Sequence, residues 1–216
     1  YLGRTQEPVL QFTLTFGRRE VVTGYERDKI AKWLFGRSGY KKLYILQDDF
    51  GGAYFNCFLT NPQNLYIGSL NYAFECTVIC DSPFAYSPTK TISASYTDLT
   101  NLEYRTTIYN DSSEDEYLYP KIWTKVGNSG STVSFVNNTD DINTSTWGLS
   151  GSPLSQNEEL YVNNNLQIIT SSTGLKRISR FNKNWFRLLP GTNELIISGS
   201  VAWFKIEYDE RKKFGG

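Results

Sequence analysis

The sequence predicts a mainly β protein with two domains: an N-terminal β domain with one short helix, and a C-terminal β-sandwich. Two observations predict this class. Tyr, Thr, Ser and Asn are abundant, and branched and aromatic side chains favour strands. Short strand-like segments also follow one another at fairly regular spacing beyond Pro88. We therefore assign residues 1–88 to the first domain and residues 89–216 to the second.

The first domain opens with a strand and a helix. Residues 11–18 alternate apolar and polar side chains, which predicts a half-buried strand. Residues 27–35 change to a helical period, with Ile30, Trp33 and Leu34 on one face. This segment is the one substantial helix that the pattern predicts.

A hairpin and a further strand complete the first domain. The hairpin spans residues 42–60, and we expect Asn61 and Pro62 to end it. The next strand spans residues 69–79, and its apolar face carries two of the cysteines. Two prolines within residues 81–88 then end strand pairing and mark the domain boundary.

The second domain shows nine candidate strands separated by turns rich in Asn, Gly and Asp. These strands are 91–97, 103–110, 119–126, 132–136, 159–162, 166–170, 186–188, 194–198 and 201–208. Alternation along them predicts which side chains form the core. The expected core residues are Ile122, Val133, Phe135, Leu160, Ile168, Leu195 and Ile197.

Charge and composition exclude several classes of partner. Lys and Arg together equal Asp and Glu at 22 each, and no basic block stands out, so we expect no nucleic-acid partner. No apolar run approaches the roughly 20 residues that span a bilayer, so we expect no membrane association. The sequence contains no Met and begins at Tyr1, which predicts a fragment or processed product whose N-terminal part is missing. The three cysteines, Cys57, Cys76 and Cys80, fit reduced packing residues and assembly in a reducing cytoplasm.

The sequence predicts no catalytic residue, no metal site and no cofactor. Histidine is absent, which excludes nucleophilic sites that use histidine and most catalytic zinc sites. Acidic residues occur in three adjacent pairs, which could suggest a glycan hydrolase. They lie in expected turns, where acids are solvated or cap the backbone, and we prefer that reading. The pairs are Asp48 and Asp49, Asp140 and Asp141, and Glu158 and Glu159.

Three aromatic residues of the second domain lie near polar loops: Trp147, Tyr161 and Trp185. Aromatic faces beside Asn and Asp can stack on sugars, so these residues are candidate contacts for a glycan. Packing residues and anchors of a protein interface account for the same aromatics. A carbohydrate-binding module that attaches to cell-wall glycan is therefore the alternative to a structural protein.

The order of several segments resembles the distal tail proteins of long-tailed phages, and of prophages, of Gram-positive bacteria. In the first domain these are the strand from Phe12 to Phe16, the helix ending in Trp33-Leu34, and the closing Cys80-Asp-Ser-Pro-Phe-Ala-Tyr-Ser87. In the second they include Thr132-Val-Ser-Phe-Val-Asn-Asn-Thr139 and Leu189-Pro-Gly-Thr-Asn-Glu-Leu195. The resemblance extends over nearly the whole chain.

This resemblance implies a belt domain that forms a ring, usually a hexamer, and a galectin-like β-sandwich attached to it. The ring of such proteins is part of the virion tail and is assembled in the bacterial cytoplasm. It joins the tail tube protein to the tail hub protein and, in many phages, to a receptor-binding protein. The first belt strands have no counterpart in this sequence, so the belt domain is expected to be partial. The family supplies no catalytic residues.

Overall fold

The computed structural model describes residues 8–36, 38–96, 102–113, 116–129, 132–141, 143–147 and 153–213. The chain divides into two compact units, one of Tyr1–Ser87 with Lys212–Gly216 and one of Pro88–Arg211. The described residues are mainly strand with a single α-helix, which confirms the predicted fold class. None of their helices is long and apolar enough to cross a membrane.

The described residues form one α-helix, fifteen strands and two short 3-10 helices. In chain order the elements are β1 (Gln11–Gly17), α1 (Gly24–Phe35), β2 (Lys41–Tyr44), a 3-10 helix (Asp48–Phe50), β3 (Tyr54–Ile67), β4 (Leu70–Cys80), β5 (Ala85–Tyr86), β6 (Lys90–Ser95), β7 (Leu102–Asn110), β8 (Lys121–Val126), β9 (Val133–Asn137), β10 (Asn143–Trp147), β11 (Glu159–Asn163), β12 (Ile168–Ser171), a 3-10 helix (Arg177–Arg180), β13 (Gly191–Gly199), β14 (Val201–Tyr208) and β15 (Arg211–Lys212).

The first unit is built on one sheet with the strand order β1-β4-β3-β5-β15, and β2 also pairs with β3. Alternate residues of β4 are buried, namely Phe74, Cys76, Val78 and Cys80. This is the face that the alternation predicts. The last strand, β15, returns to this sheet, although nothing in the sequence pattern of residues 211–212 indicates such a pairing.

Two boundaries in the first unit differ from the prediction. Strand β3 continues through Asn61 and Pro62 instead of ending there, so the predicted break is wrong. The pairing of β3 with β4 shifts register at this point, and Asn61 adopts a left-handed φ of 49°. This bulge accommodates a proline that has no N–H to donate. Helix α1 begins at Gly24, earlier than predicted, because Thr23 caps it and forms a capping box with Glu26.

The second unit is a sandwich of two antiparallel sheets, with the strand orders β10-β9-β13-β7 and β12-β11-β8-β14-β6. Side chains from both sheets form one buried cluster, which includes Phe135 and Leu195 from the first sheet and Phe204 from the second. The inner faces of the sheets thereby supply the core, as in other sandwiches.

The predicted core of the second unit is largely correct. Six of the seven expected residues are buried, but Ile168 is 45% exposed and that prediction is wrong. Its neighbour Ile169 packs against the core instead. Gln167, at a φ of 56°, ends a turn just before β12, so the strand starts later and with the opposite alternation. The predicted strand at 186–188 is a single bridge between Leu188 and Leu118, and β10 was not predicted.

Candidate functional site

Two of the three acidic pairs contain a buried carboxylate, so these two acids are not solvated as expected, although Glu158 also accepts the Ser155 N–H at 2.9 Å and thus caps the backbone as expected. Glu158 and Asp140 are both buried, and each is held by a bidentate arginine. Both arginines are distant in sequence, which is why the local pattern did not indicate them. Among the described residues, no group of three or more Cys, Asp or Glu side chains could hold a metal ion.

The Glu158–Arg177 pair is almost completely enclosed. Arg177 Nε and Nη2 donate to Glu158 Oε1 and Oε2 at 2.7 and 2.6 Å, and both side chains have at most 2% exposure. The Ser171 hydroxyl also donates to this carboxylate. Burial alone raises the pKa of Glu158, but the hydrogen bonds from Arg177 and Ser171 outweigh it, so the pKa is lowered. This pair ties the second 3-10 helix to the start of β11, and its role is structural.

The Asp140–Arg187 pair is only partly enclosed, because Asp140 is buried while the Arg187 side chain is 32% exposed. Arg187 Nε and Nη2 donate to Asp140 Oδ2 and Oδ1 at 2.6 and 3.1 Å, and the guanidinium carbon lies 3.9 Å from the centre of the Tyr117 ring. The hydrogen bond to Asp140 raises the pKa of Arg187 and keeps its charge fixed. The guanidinium is therefore oriented by two independent contacts while part of it faces solvent.

The structure does not gather the three predicted aromatic residues into one site. Tyr161, on the outer face of β11, contacts Trp123 with ring centres 5.0 Å apart. Trp185 packs against the core and contacts Phe181 at 4.8 Å. Trp147 ends β10, paired with Val133, and its side chain lies outside the described part of the chain.

The three cysteines are free and buried, which confirms their prediction as reduced packing residues. Burial raises the pKa of Cys57 to about 11 and that of Cys80 to about 12. Cys57 and Cys80 lie opposite each other in the pairing of β3 with β4. Thiols with such pKa values are protonated and unreactive at neutral pH, so they contribute packing and no chemistry.

The first unit exposes many large apolar side chains. One group lies on the tip of the hairpin formed by β3 and β4, and we call it the hairpin tip: Leu65, Tyr66, Ile67 and Leu70. A second group lines a groove of about 760 Å³ between the end of α1, β2 and β3, and we call it the helix groove. Its apolar lining comprises Trp33, Leu34, Phe35, Tyr40, Leu43, Cys57, Phe58 and Leu59.

Helix α1 packs only loosely against its own chain. It contains no buried residue, and Trp33 is 62% exposed although the sequence places it on the apolar face with Ile30 and Leu34. A helix of twelve residues is marginally stable without tertiary packing. Its capping box with Thr23 and Glu26 therefore matters more than it would in a buried helix.

Two family descriptions match the chain. That of a phage tail protein N-terminal domain matches residues 1–82, and that of a phage tail C-terminal domain matches residues 84–208. Comparison with curated proteins finds no match.

The chain is also similar in fold to solved phage structures. One is the Dit protein (gp 19.1) of phage SPP1, which is described as a paradigm of the hub adsorption apparatus in phages that infect Gram-positive bacteria. It superimposes with a TM-score of 0.64 and 11% sequence identity, and the match covers 94% of this chain and 79% of the Dit chain. A chain of the phage P2 baseplate in its activated conformation with Ca gives a TM-score of 0.54 at 10% identity over 97% of this chain and 81% of that one. The baseplate with Sr gives 0.51 at the same identity and coverage. At such identities the similarity concerns the fold.

Proposed function

From the premise that this chain belongs to a family of phage tail proteins and has the fold of a distal tail protein, we propose that it forms a ring that joins the tail tube to the baseplate. It is a component of the virion tail. The ring is a homo-oligomer, and the resemblance to distal tail proteins implies a hexamer. Its role is to provide shape and contact surface, without catalysis.

The observation that carries this proposal is the exposed apolar surface of the first unit. The hairpin tip presents Ile67 at 74% exposure together with three other large apolar side chains. Contiguous apolar surface of this kind marks a contact with another protein. A ring of identical subunits needs two different surfaces on each subunit, and the hairpin tip and the helix groove are two such surfaces.

The outer edge of β1 offers a further contact. Within the described chain β1 is the outermost strand of its sheet. The backbone groups of Leu10 and Arg18 bond to β4, and bonding alternates along an antiparallel pair. The even-numbered residues of β1 therefore face β4, whereas Thr13 and Thr15 direct their N–H and C=O groups to the open edge. A strand of a neighbouring subunit can pair with such an edge.

We also propose the tail tube protein, the tail hub protein and a receptor-binding protein as partners of this ring. This part of the proposal rests on the family and on the baseplate structures that share the fold. No particular residue is assigned to any of the three contacts.

Mass photometry of the protein tests the ring. We expect a closed oligomer of about six subunits at micromolar concentration. The Ile67→Asp variant should be monomeric, because a charge at the hairpin tip would have to be buried in the contact. The matched control is Leu175→Asp, which changes an exposed apolar residue of the second unit and should leave the oligomer intact.

A second variant examines the strand edge. Thr15→Pro removes one N–H from the open edge of β1 and leaves the ladder to β4 intact, so it should weaken the oligomer. Thr15→Ala keeps that N–H and should not. A wild-type protein that stays monomeric at micromolar concentration would contradict the ring itself.

A further inference from the structure

The second unit carries a cluster of aromatic and polar side chains beside a single strand bridge. Leu118 and Leu188 exchange both backbone hydrogen bonds, at 3.0 and 2.8 Å, as an antiparallel bridge. Both leucines point into the core. Because side chains alternate along extended segments, Tyr117, Tyr119 and Arg187 all point to the opposite, outer side. Antiparallel pairing places Tyr119 directly across from Arg187.

The side chains of Tyr117, Tyr119 and Arg187 form a cluster in which the guanidinium is held in a fixed orientation while some hydrogen-bonding groups remain available. Arg187 is fixed by Asp140 and by the Tyr117 ring, and its side chain is 32% exposed. Its Nη1 group donates to no residue of the described chain. The hydroxyl groups of Tyr117 and Tyr119 likewise make no hydrogen bond to the described residues, and both rings are more than one third exposed.

We propose that Tyr117, Tyr119 and Arg187 bind a saccharide. The carboxylate of Asp140 neutralises the guanidinium, so the cluster carries no net charge and does not favour an ion. Its Nη1 donors and two phenol hydroxyls match the hydroxyl groups of a sugar. The Tyr119 ring matches the apolar C–H face of a pyranose, whereas the Arg187 guanidinium covers one face of the Tyr117 ring. This function goes beyond the ring and does not depend on it.

The other aromatic surface of this unit is less suited to a ligand. On the outer face of the β11-β8-β14 sheet, the ammonium of Lys205 covers the Trp123 ring at 4.1 Å and pairs with Glu207 at 2.9 Å. The Tyr161 hydroxyl accepts a bond from Asn163 at 3.4 Å. The polar groups of this surface and one face of the Trp123 ring are thus already engaged in contacts within the chain.

The test is an NMR titration of the protein with three probes: maltotriose, triacetylchitotriose and methyl β-galactoside. We expect at least one probe to bind with a Kd of about 1 mM or lower. Tyr119→Ala should weaken that binding about tenfold, because it removes a stacking surface. Arg187→Lys should have a similar effect, because lysine keeps the charge and loses the fork of donors.

Two controls separate this site from general effects. Tyr161→Ala changes one of the three aromatics that the sequence indicates as candidate glycan contacts, and Tyr25→Ala changes an exposed tyrosine of the first unit. Neither should alter the affinity, and the melting temperature of each variant verifies its fold.

Three results would overturn the proposal. One is the absence of binding of every probe at about 10 mM. Another is an equal loss of affinity in Tyr161→Ala and Tyr119→Ala. The third is a combination of two results: the wild type binds no saccharide, and the Tyr119→Ala variant fails to assemble into tails. Such a combination would show that the cluster is a contact with another protein.

Discussion

The two units of the chain differ in how completely each one buries its own apolar surface. In the second unit both sheets contribute side chains that are fully enclosed, and its buried Asn137 and Asn164 side chains bond to backbone carbonyls. The first unit has a smaller core, a helix without a buried residue and an apolar hairpin tip. The second unit therefore encloses a large core within one chain, whereas the first unit leaves more of its large apolar side chains exposed, which is the surface that the proposed ring contact would use.

The largest effect should come from the centre of the sandwich. Phe135 is fully buried and makes edge contacts with Phe186 and Phe204 at 6.3 and 6.0 Å. Phe135→Ala should lower the free energy of unfolding of the second unit by about 3–5 kcal/mol, because it leaves a cavity. Hydrogen exchange followed by mass spectrometry should show the loss of protection in the sandwich strands. An equal loss in β1–β4 would show that the two units do not unfold separately and would break the comparison.

A somewhat smaller effect should follow from opening the enclosed ion pair. Arg177→Ala leaves Glu158 buried without its partner and should cost about 3 kcal/mol. The double variant Glu158→Leu with Arg177→Met should be close to wild type, because neither charge is then buried. Chemical denaturation of the three proteins measures both values, and a double variant as unstable as Arg177→Ala would contradict this account.

The pH dependence of this pair follows from the lowered pKa of Glu158. A carboxylate whose pKa is lower in the folded state stabilises the fold above its unfolded pKa. That contribution is lost as the pH falls toward the folded value. The wild type should therefore lose more stability on acidification than the double variant does.

The smallest effect should come from the cap of α1. Thr23→Ala removes the hydroxyl that accepts from the Glu26 N–H and should destabilise the helix by about 1 kcal/mol. The backbone N–H of Thr23, its hydroxyl and Arg18 lower the pKa of Glu26 to about 2. The cap should therefore weaken as the pH falls from about 4.5 to about 2, and faster exchange of the α1 amides over that pH range would report it. Rates unchanged by Thr23→Ala would show that packing and not capping holds this helix.

The strand alternation and the helical period could be read from the sequence because each depends on neighbouring residues. The buried residues of β4 and six core residues of the sandwich follow from period-two alternation. The error at Ile168 arose because one left-handed residue, Gln167, ends a turn and changes the side to which the next strand points. The continuation of β3 through Pro62 required the pairing with β4, which lies beyond any local pattern.

The candidate site was harder to predict than the fold. Tyr161 and Trp185 were chosen for their polar sequence neighbours, yet their ring contacts are with Trp123 and Phe181. The cluster of Tyr117, Tyr119 and Arg187 joins segments about 70 residues apart through a single bridge. No signal in the sequence marks that bridge, although a Tyr-Leu-Tyr alternation before Pro120 could have indicated an exposed aromatic pair.

The amino-acid order was enough to establish a mainly β chain without histidine chemistry, because composition and short-range periodicity report directly on local backbone preference and on available functional groups. The tertiary structure alone showed that Arg187 neutralises Asp140 and that Arg177 neutralises Glu158. It also showed which edge of β1 is open and which aromatic side chains share a surface. Those features are contacts between distant segments, and their energy depends on burial and geometry that no single segment specifies.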